Sequence, residues 1–182
     1  IESVGEFIRM YVTRYKRWSS PKFLIGESYG TTRASALAGH LQSQYGLYLN
    51  GLMLVSVVLN FQTLVFETGN DLPYILYVPA YAATAWYHNR LAPDLQGDLA
   101  TTLRAAAEFA YGEYMSALFQ GDALAAEQRA VVVDKLARFT GLSPSYVESA
   151  NLRIEHMRFC KELLRDRRRT DGRLDSRVTG AD

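Results

Sequence analysis

The chain has 182 residues, 48% of them hydrophobic and 21% charged, with a net charge of +1. That balance describes a folded globular protein with a sizeable core and excludes a disordered chain. So small a net charge gives no electrostatic reason for a nucleic-acid partner, and no apolar run is long enough to form an integral membrane segment.

Val4, Phe7, Ile8, Tyr11, Tyr15 and Trp18 recur at helical spacing, which predicts an amphipathic helix ending before Ser19-Ser20-Pro21. Lys22-Phe23-Leu24-Ile25 then predicts a short strand. After the stretch Gly26-Glu27-Ser28-Tyr29-Gly30, residues 31–45 read as a helix closed by Gly46. Residues 49–59 are almost continuously aliphatic, as in a strand covered on both faces. The order helix, strand, helix, strand predicts an α/β chain with a parallel sheet.

From about residue 63 the strand signal stops. Residues 73–91 are apolar and tyrosine-rich, and residues 96–119 place Leu99, Leu103, Ala106, Ala107, Ala110, Tyr114 and Leu118 on one helical face. Asp122 is the expected cap of a helix over 123–139 that stops before Gly141. Ser143 with Pro144 predicts another helix start, and Asn151 the cap of a last helix to about Leu164. Tyr74, Tyr77, Tyr81 and Tyr87 could line a substrate cleft, although an aromatic stripe at helical spacing is more often core. Residues 165–182 interleave six arginines with four aspartates, which reads as a solvated segment rather than a nucleic-acid surface. The chain thus divides into residues 1–62, 63–165 and 166–182.

The chemistry centres on Gly26-Glu27-Ser28-Tyr29-Gly30, which has the form G-x-S-x-G between a predicted strand and a predicted helix. In that context the serine occupies a tight, strained turn that lifts its hydroxyl clear of the sheet, and the flanking glycines let strand and helix pass closely. Ser28 is therefore the candidate nucleophile. The N–H of Tyr29, at a helix N-terminus, is the candidate oxyanion donor. A serine also needs a histidine base and an acid to orient it. His88 and His156 fall within predicted helices, and His40 lies three turns along the helix after Ser28, so no complete triad is expected in this chain. Cys160, the single cysteine, reads as a small buried hydrophobe. No metal or cofactor motif is present in the sequence.

The runs Ser20-Pro21-Lys22-Phe23-Leu24-Ile25-Gly26-Glu27-Ser28-Tyr29-Gly30, Asn70-Asp71-Leu72-Pro73-Tyr74, Tyr81-Ala82-Ala83-Thr84-Ala85-Trp86-Tyr87-His88 and Gly172-Arg173-Leu174-Asp175-Ser176-Arg177 together resemble the bacterial branch of the serine carboxypeptidase family. The resemblance spans essentially the whole chain and corresponds to the middle of a family member. It implies a partial α/β-hydrolase fold: a core segment with the nucleophile elbow, a helical cap insertion from about residue 63, and a return to the core from Gly172. It also implies Ser28 as nucleophile, the Tyr29 N–H as oxyanion donor and Glu27 as a ligand of the substrate's terminal carboxylate. Two facing carboxylates repel unless one holds a proton, so a mildly acidic optimum follows.

The same resemblance implies a peptide substrate with a free C-terminus, no cofactor, and a secreted or periplasmic setting. The family's upstream oxyanion loop and second acidic residue, and its downstream triad Asp and His, have no counterpart here. The chain is accordingly expected to be an incomplete part of the enzyme, either a stretch of a longer polypeptide or one piece of a cleaved enzyme whose other piece, a companion polypeptide, supplies the rest. Gly30 and Thr31 stand where eukaryotic members commonly carry other small residues. The alternatives are a non-catalytic helical interaction module, or an esterase or acyltransferase on the same elbow.

Overall fold

The computed structural model describes residues 1–181. They form a mixed α/β chain in two compact units, residues 1–61 and the described residues from 62 onward. No helix among the described residues is long and apolar enough to cross a membrane.

The first unit runs α1 (Glu2–Arg14), β1 (Phe23–Glu27), α2 (Tyr29–Tyr45), β2 (Gly51–Val55). β1 and β2 are parallel, with Phe23 opposite Gly51 and Glu27 opposite Val55. α2 supplies the crossover that parallel neighbours need. It ends as expected at Gly46, whose φ of 62° suits a residue without a Cβ. Val12, Leu37, Leu41 and Leu47 form a small core joining α1 to α2, with Leu24 and Leu49 packed against it.

Two expectations for this unit require correction. The second strand covers only Gly51–Val55, because Ser56 turns to φ 51° and ends the extended run. The sheet is also open on one face rather than covered on both: Ile25 is 70% and Met53 50% exposed. α2 occupies one side only, and nothing else in the unit reaches the other.

The second unit is built on α3 (Leu72–Tyr87), the short α4 (Pro93–Gln96), α5 (Leu99–Phe109), a π turn (Ala110–Tyr114), α6 (Met115–Gln120), α7 (Ala126–Thr140), α8 (Pro144–Ser149) and α9 (His156–Glu162). A short antiparallel pair, β3 (Arg169–Asp171) and β4 (Thr179–Ala181), follows. Val78, Ala82 and Ala85 of α3 share a core with Ala106, Leu136, Val147, Phe159 and Leu163. Alanines fully buried on both α3 and α5 leave little side-chain bulk between the two helices. Tyr81 is core, stacked on Phe159 at 4.1 Å between ring centres. Tyr74 and Tyr77 pack against that core half-buried, whereas Tyr87 is exposed.

Several helix boundaries differ from the sequence reading. Asp122 caps nothing: it lies in a 3₁₀ turn, and α7 starts at Ala126 after Ala125. Asn151 sits in a turn at φ 50°, and the last helix is capped by Glu155, whose Oε2 accepts from Arg158 N–H at 3.1 Å. The helix expected over 96–119 runs from Leu99 to Gln120 with the π turn inside it, and is started by Asp98 accepting from Thr101 N–H at 2.9 Å. Ser143 does cap α8, accepting from Tyr146 N–H at 3.2 Å, with Pro144 in its first turn. The segment from residue 166, read as solvated, is mostly exposed over 166–181 and also carries the short β3–β4 pair.

Asp171 of β3 is 4% exposed, and its Oδ1 has no hydrogen-bond partner. Burial holds this carboxyl above its ordinary range, and burial together with Asp171 pushes the Cys160 thiol up to about 12. The folded state therefore binds the Asp171 proton more tightly than the unfolded chain does. Stability falls as pH rises through the ordinary carboxyl range toward the raised folded value. Asp171→Asn should melt higher than wild type at about pH 7, with the gain shrinking toward about pH 3. A gain independent of pH would show that folding leaves the Asp171 carboxyl at its ordinary value.

Candidate active site

Ser28 joins β1 to α2 with φ 52° and ψ −122°. A side-chain-bearing residue held in that region costs about 1–3 kcal/mol and persists only where its surroundings over-determine it. The surroundings here do so. Ser28 N–H donates to Val55 O at 3.0 Å, adding one bond to the β1–β2 ladder. Ser28 C=O accepts from both Thr31 N–H at 3.0 Å and Thr31 Oγ1 at 2.7 Å. The Thr31 hydroxyl is fully buried and also accepts from Val58 N–H at 2.9 Å. Thr32 Oγ1 donates to Val58 O. Two threonines in the first turn of α2 thus tie the segment after β2 to the turn that carries Ser28.

The flanking glycines differ in what they do. A Cβ on Gly26 would stand 2.3 Å from Gly30 O and 2.8 Å from Thr31 N, so the strand and helix approach too closely for any side chain there. A Cβ on Gly30 would meet nothing within 4 Å. The expectation that both glycines make room is therefore corrected: Gly26 does so, and Gly30 contributes only its backbone.

The Ser28 side chain is exposed. Tyr29 is the first residue of the 17-residue α2. Its N–H has no acceptor within the helix and lies at the positive end of the macrodipole, as an oxyanion donor requires. The Tyr29 ring is also exposed, 6.3 Å from the Phe61 ring and 5.6 Å from the Arg33 guanidinium one turn along. Glu27 ends β1 on the face turned away from α2, since Gly26 points at the helix and side chains alternate along a strand. It is exposed and forms no ion pair among the described residues.

Each histidine is engaged within its own unit. His40 packs edge-on against Tyr45 at 5.6 Å, with Nε2 buried and unpartnered; it is also so close to Gly5 that a Cβ there would lie 2.6 Å from its ring. Along α2 it lies about 18 Å from Ser28 at the helical rise. His88 Nε2 lies 2.6 Å from Ser176 O. His156 lies beside Glu155 at 2.7 Å and against the Phe66 and Tyr77 rings. Within the first unit no histidine hydrogen-bonds the Ser28 hydroxyl. What stands together is an exposed serine on a strained backbone and the Tyr29 N–H at the start of α2, with Glu27 next to them in sequence. No three His, Cys, Asp or Glu side chains among the described residues converge on a metal position.

Sequence reasoning missed Thr31 and Thr32. Threonine in a first helical turn often hydrogen-bonds back to the preceding carbonyl, and two in succession after G-x-S-x-G were the available signal. Comparison of the chain with known protein families, curated proteins and solved structures finds no match.

Proposed function

We propose that this chain is the nucleophile-bearing part of a serine carboxypeptidase-like hydrolase of the α/β-hydrolase type, which releases C-terminal residues from peptides. The observation that carries the reading is the backbone of Ser28, strained at φ 52° and ψ −122° between a parallel strand and a helix N-terminus. In the reaction, Ser28 Oγ attacks the last peptide carbonyl while a base takes its proton. The developing oxyanion is held by Tyr29 N–H, and the released amino acid departs with the proton. Water then hydrolyses the acyl-enzyme. The rest of the enzyme, on the same polypeptide or on a companion, supplies the base and its orienting acid, because His40 lies about 18 Å along α2 from Ser28 and His88 and His156 are engaged within the second unit.

Glu27 recognises the substrate's terminal carboxylate in this reading, and the test addresses that role. The comparison is kcat/KM for a peptide with a free C-terminus against the same peptide amidated, in the assembly that hydrolyses it. Wild type should favour the free acid by about tenfold or more, and Glu27→Gln should shrink that ratio while keeping much of the rate. Equal rates on acid and amide in wild type would exclude a carboxypeptidase and leave an esterase or acyltransferase on the same serine.

A further inference from the structure

A cavity of about 580 Å³ opens in the second unit between the start of α3, the turn after α6, α7 and the turn at residues 151–153. Its volume falls in the range of small-molecule sites. Hydrogen bonding within the walls decides which charges remain for a ligand. Arg153 Nε and Nη2 donate to the two carboxylate oxygens of Asp71 at 2.7 and 2.8 Å, and this pairing raises Arg153 above its ordinary range. Arg129 Nε donates to Glu148 at 2.8 Å and its Nη2 to Asn151 Oδ1 at 3.0 Å. Both lining cations and Asp71 are thus satisfied by the protein itself.

Glu67 and Asp122 line the same cavity, and neither carboxylate pairs with a cation among the described residues. The aromatic part of the wall is Phe66 set edge-on to Tyr74, with ring centres 5.0 Å apart. Positive φ at Gly69, Gly121 and Asn151 in its wall is tolerated, whereas Leu152 at 63° is held in a strained backbone, with Tyr114 Oη donating to its carbonyl at 2.6 Å. Such strain gathers at ligand sites.

We propose that this cavity binds an organic cation, an alkylguanidinium or alkylammonium group, either free or on a basic side chain of a peptide. Glu67 and Asp122 supply the charge, and Phe66 and Tyr74 supply an aromatic wall for the alkyl part. An anion would have to displace Asp71 from Arg153 or Glu148 from Arg129 and would face two unpaired carboxylates. The site does not depend on the chemistry of Ser28.

Calorimetric titration of the 182-residue chain with agmatine, with N-acetyl-argininamide and with glutarate tests the assignment. At least one cation should bind with Kd below about 1 mM, more weakly as salt is added. Tighter binding of agmatine identifies a free amine as the ligand, and tighter binding of the blocked arginine a peptide side chain. Glu67→Gln and Asp122→Asn should each weaken binding about threefold to fivefold, with melting temperatures unchanged because both side chains are exposed. The proposal is overturned if neither cation binds at about 10 mM, if glutarate binds as well, or if the double variant keeps wild-type affinity.

Discussion

Ser28→Ala is expected to abolish covalent labelling by a fluorophosphonate and to lower kcat by about a thousandfold or more in any hydrolysing assembly that contains this chain. The melting temperature should hardly change, because the hydroxyl is exposed and makes no hydrogen bond among the described residues. Ser28→Gly separates the two roles of the position: it is equally inactive, yet relieves the positive φ and gains about 1 kcal/mol. The wild-type chain by itself should label slowly, since no imidazole of its own unit hydrogen-bonds the serine to take its proton. Rapid stoichiometric labelling of the isolated chain would show that a histidine of this chain reaches Ser28 in solution. Retention of more than about a hundredth of the rate in Ser28→Ala would point to another nucleophile.

The sequence was most readable where one residue's local chemistry settles the backbone. Gly46 and Gly141 end helices at φ 62° and 70°, and Ser143-Pro144 starts one. The strand-serine-helix turn belongs to the same class, because its glycine and helix start stand within five residues of one another. Misreadings arose where a suitable residue had its conformation taken by the turn before it. Gly121 at φ 54° opens a 3₁₀ turn that contains Asp122, so the helix can begin only at Ala126. Asn151 tolerates the left-handed region, but Leu152 after it is also at positive φ, which rules out a helix starting there.

The π turn Ala110–Tyr114 inserts into an otherwise continuous apolar stripe and leaves no mark in a 3.6-residue pattern. The open sheet face has a different cause. Ile25, Met53 and Val55 look like buried-strand residues, and their types predict burial without saying which chain supplies the cover. The candidate site followed the same division. Ser28, Tyr29 and Glu27 came from a local motif, whereas the Thr31–Val58 bond spans 27 residues and was out of reach of any local pattern.

Gly26→Ala should cause the largest loss of stability among substitutions at the elbow. The added Cβ would stand 2.3 Å from Gly30 O, 2.5 Å from Gly30 C and 2.8 Å from Thr31 N. All three are backbone atoms, so no side chain can rotate aside. The first turn of α2 must instead move away from β1, and with it go the Thr31 bonds that hold Ser28 C=O and Val58 N–H. Overpacking against backbone of this kind costs about 3 kcal/mol or more, and the loss of the Ser28 turn should abolish labelling as completely as Ser28→Ala. Gly30→Ala is the matched control. Its Cβ meets nothing within 4 Å, and replacing glycine by alanine inside a helix gains about 1 kcal/mol. Urea unfolding followed by circular dichroism, with amide exchange over residues 23–31, distinguishes the two. Wild-type stability in Gly26→Ala, or equal losses in both variants, would mean that the close approach of β1 to α2 does not set the geometry of Ser28.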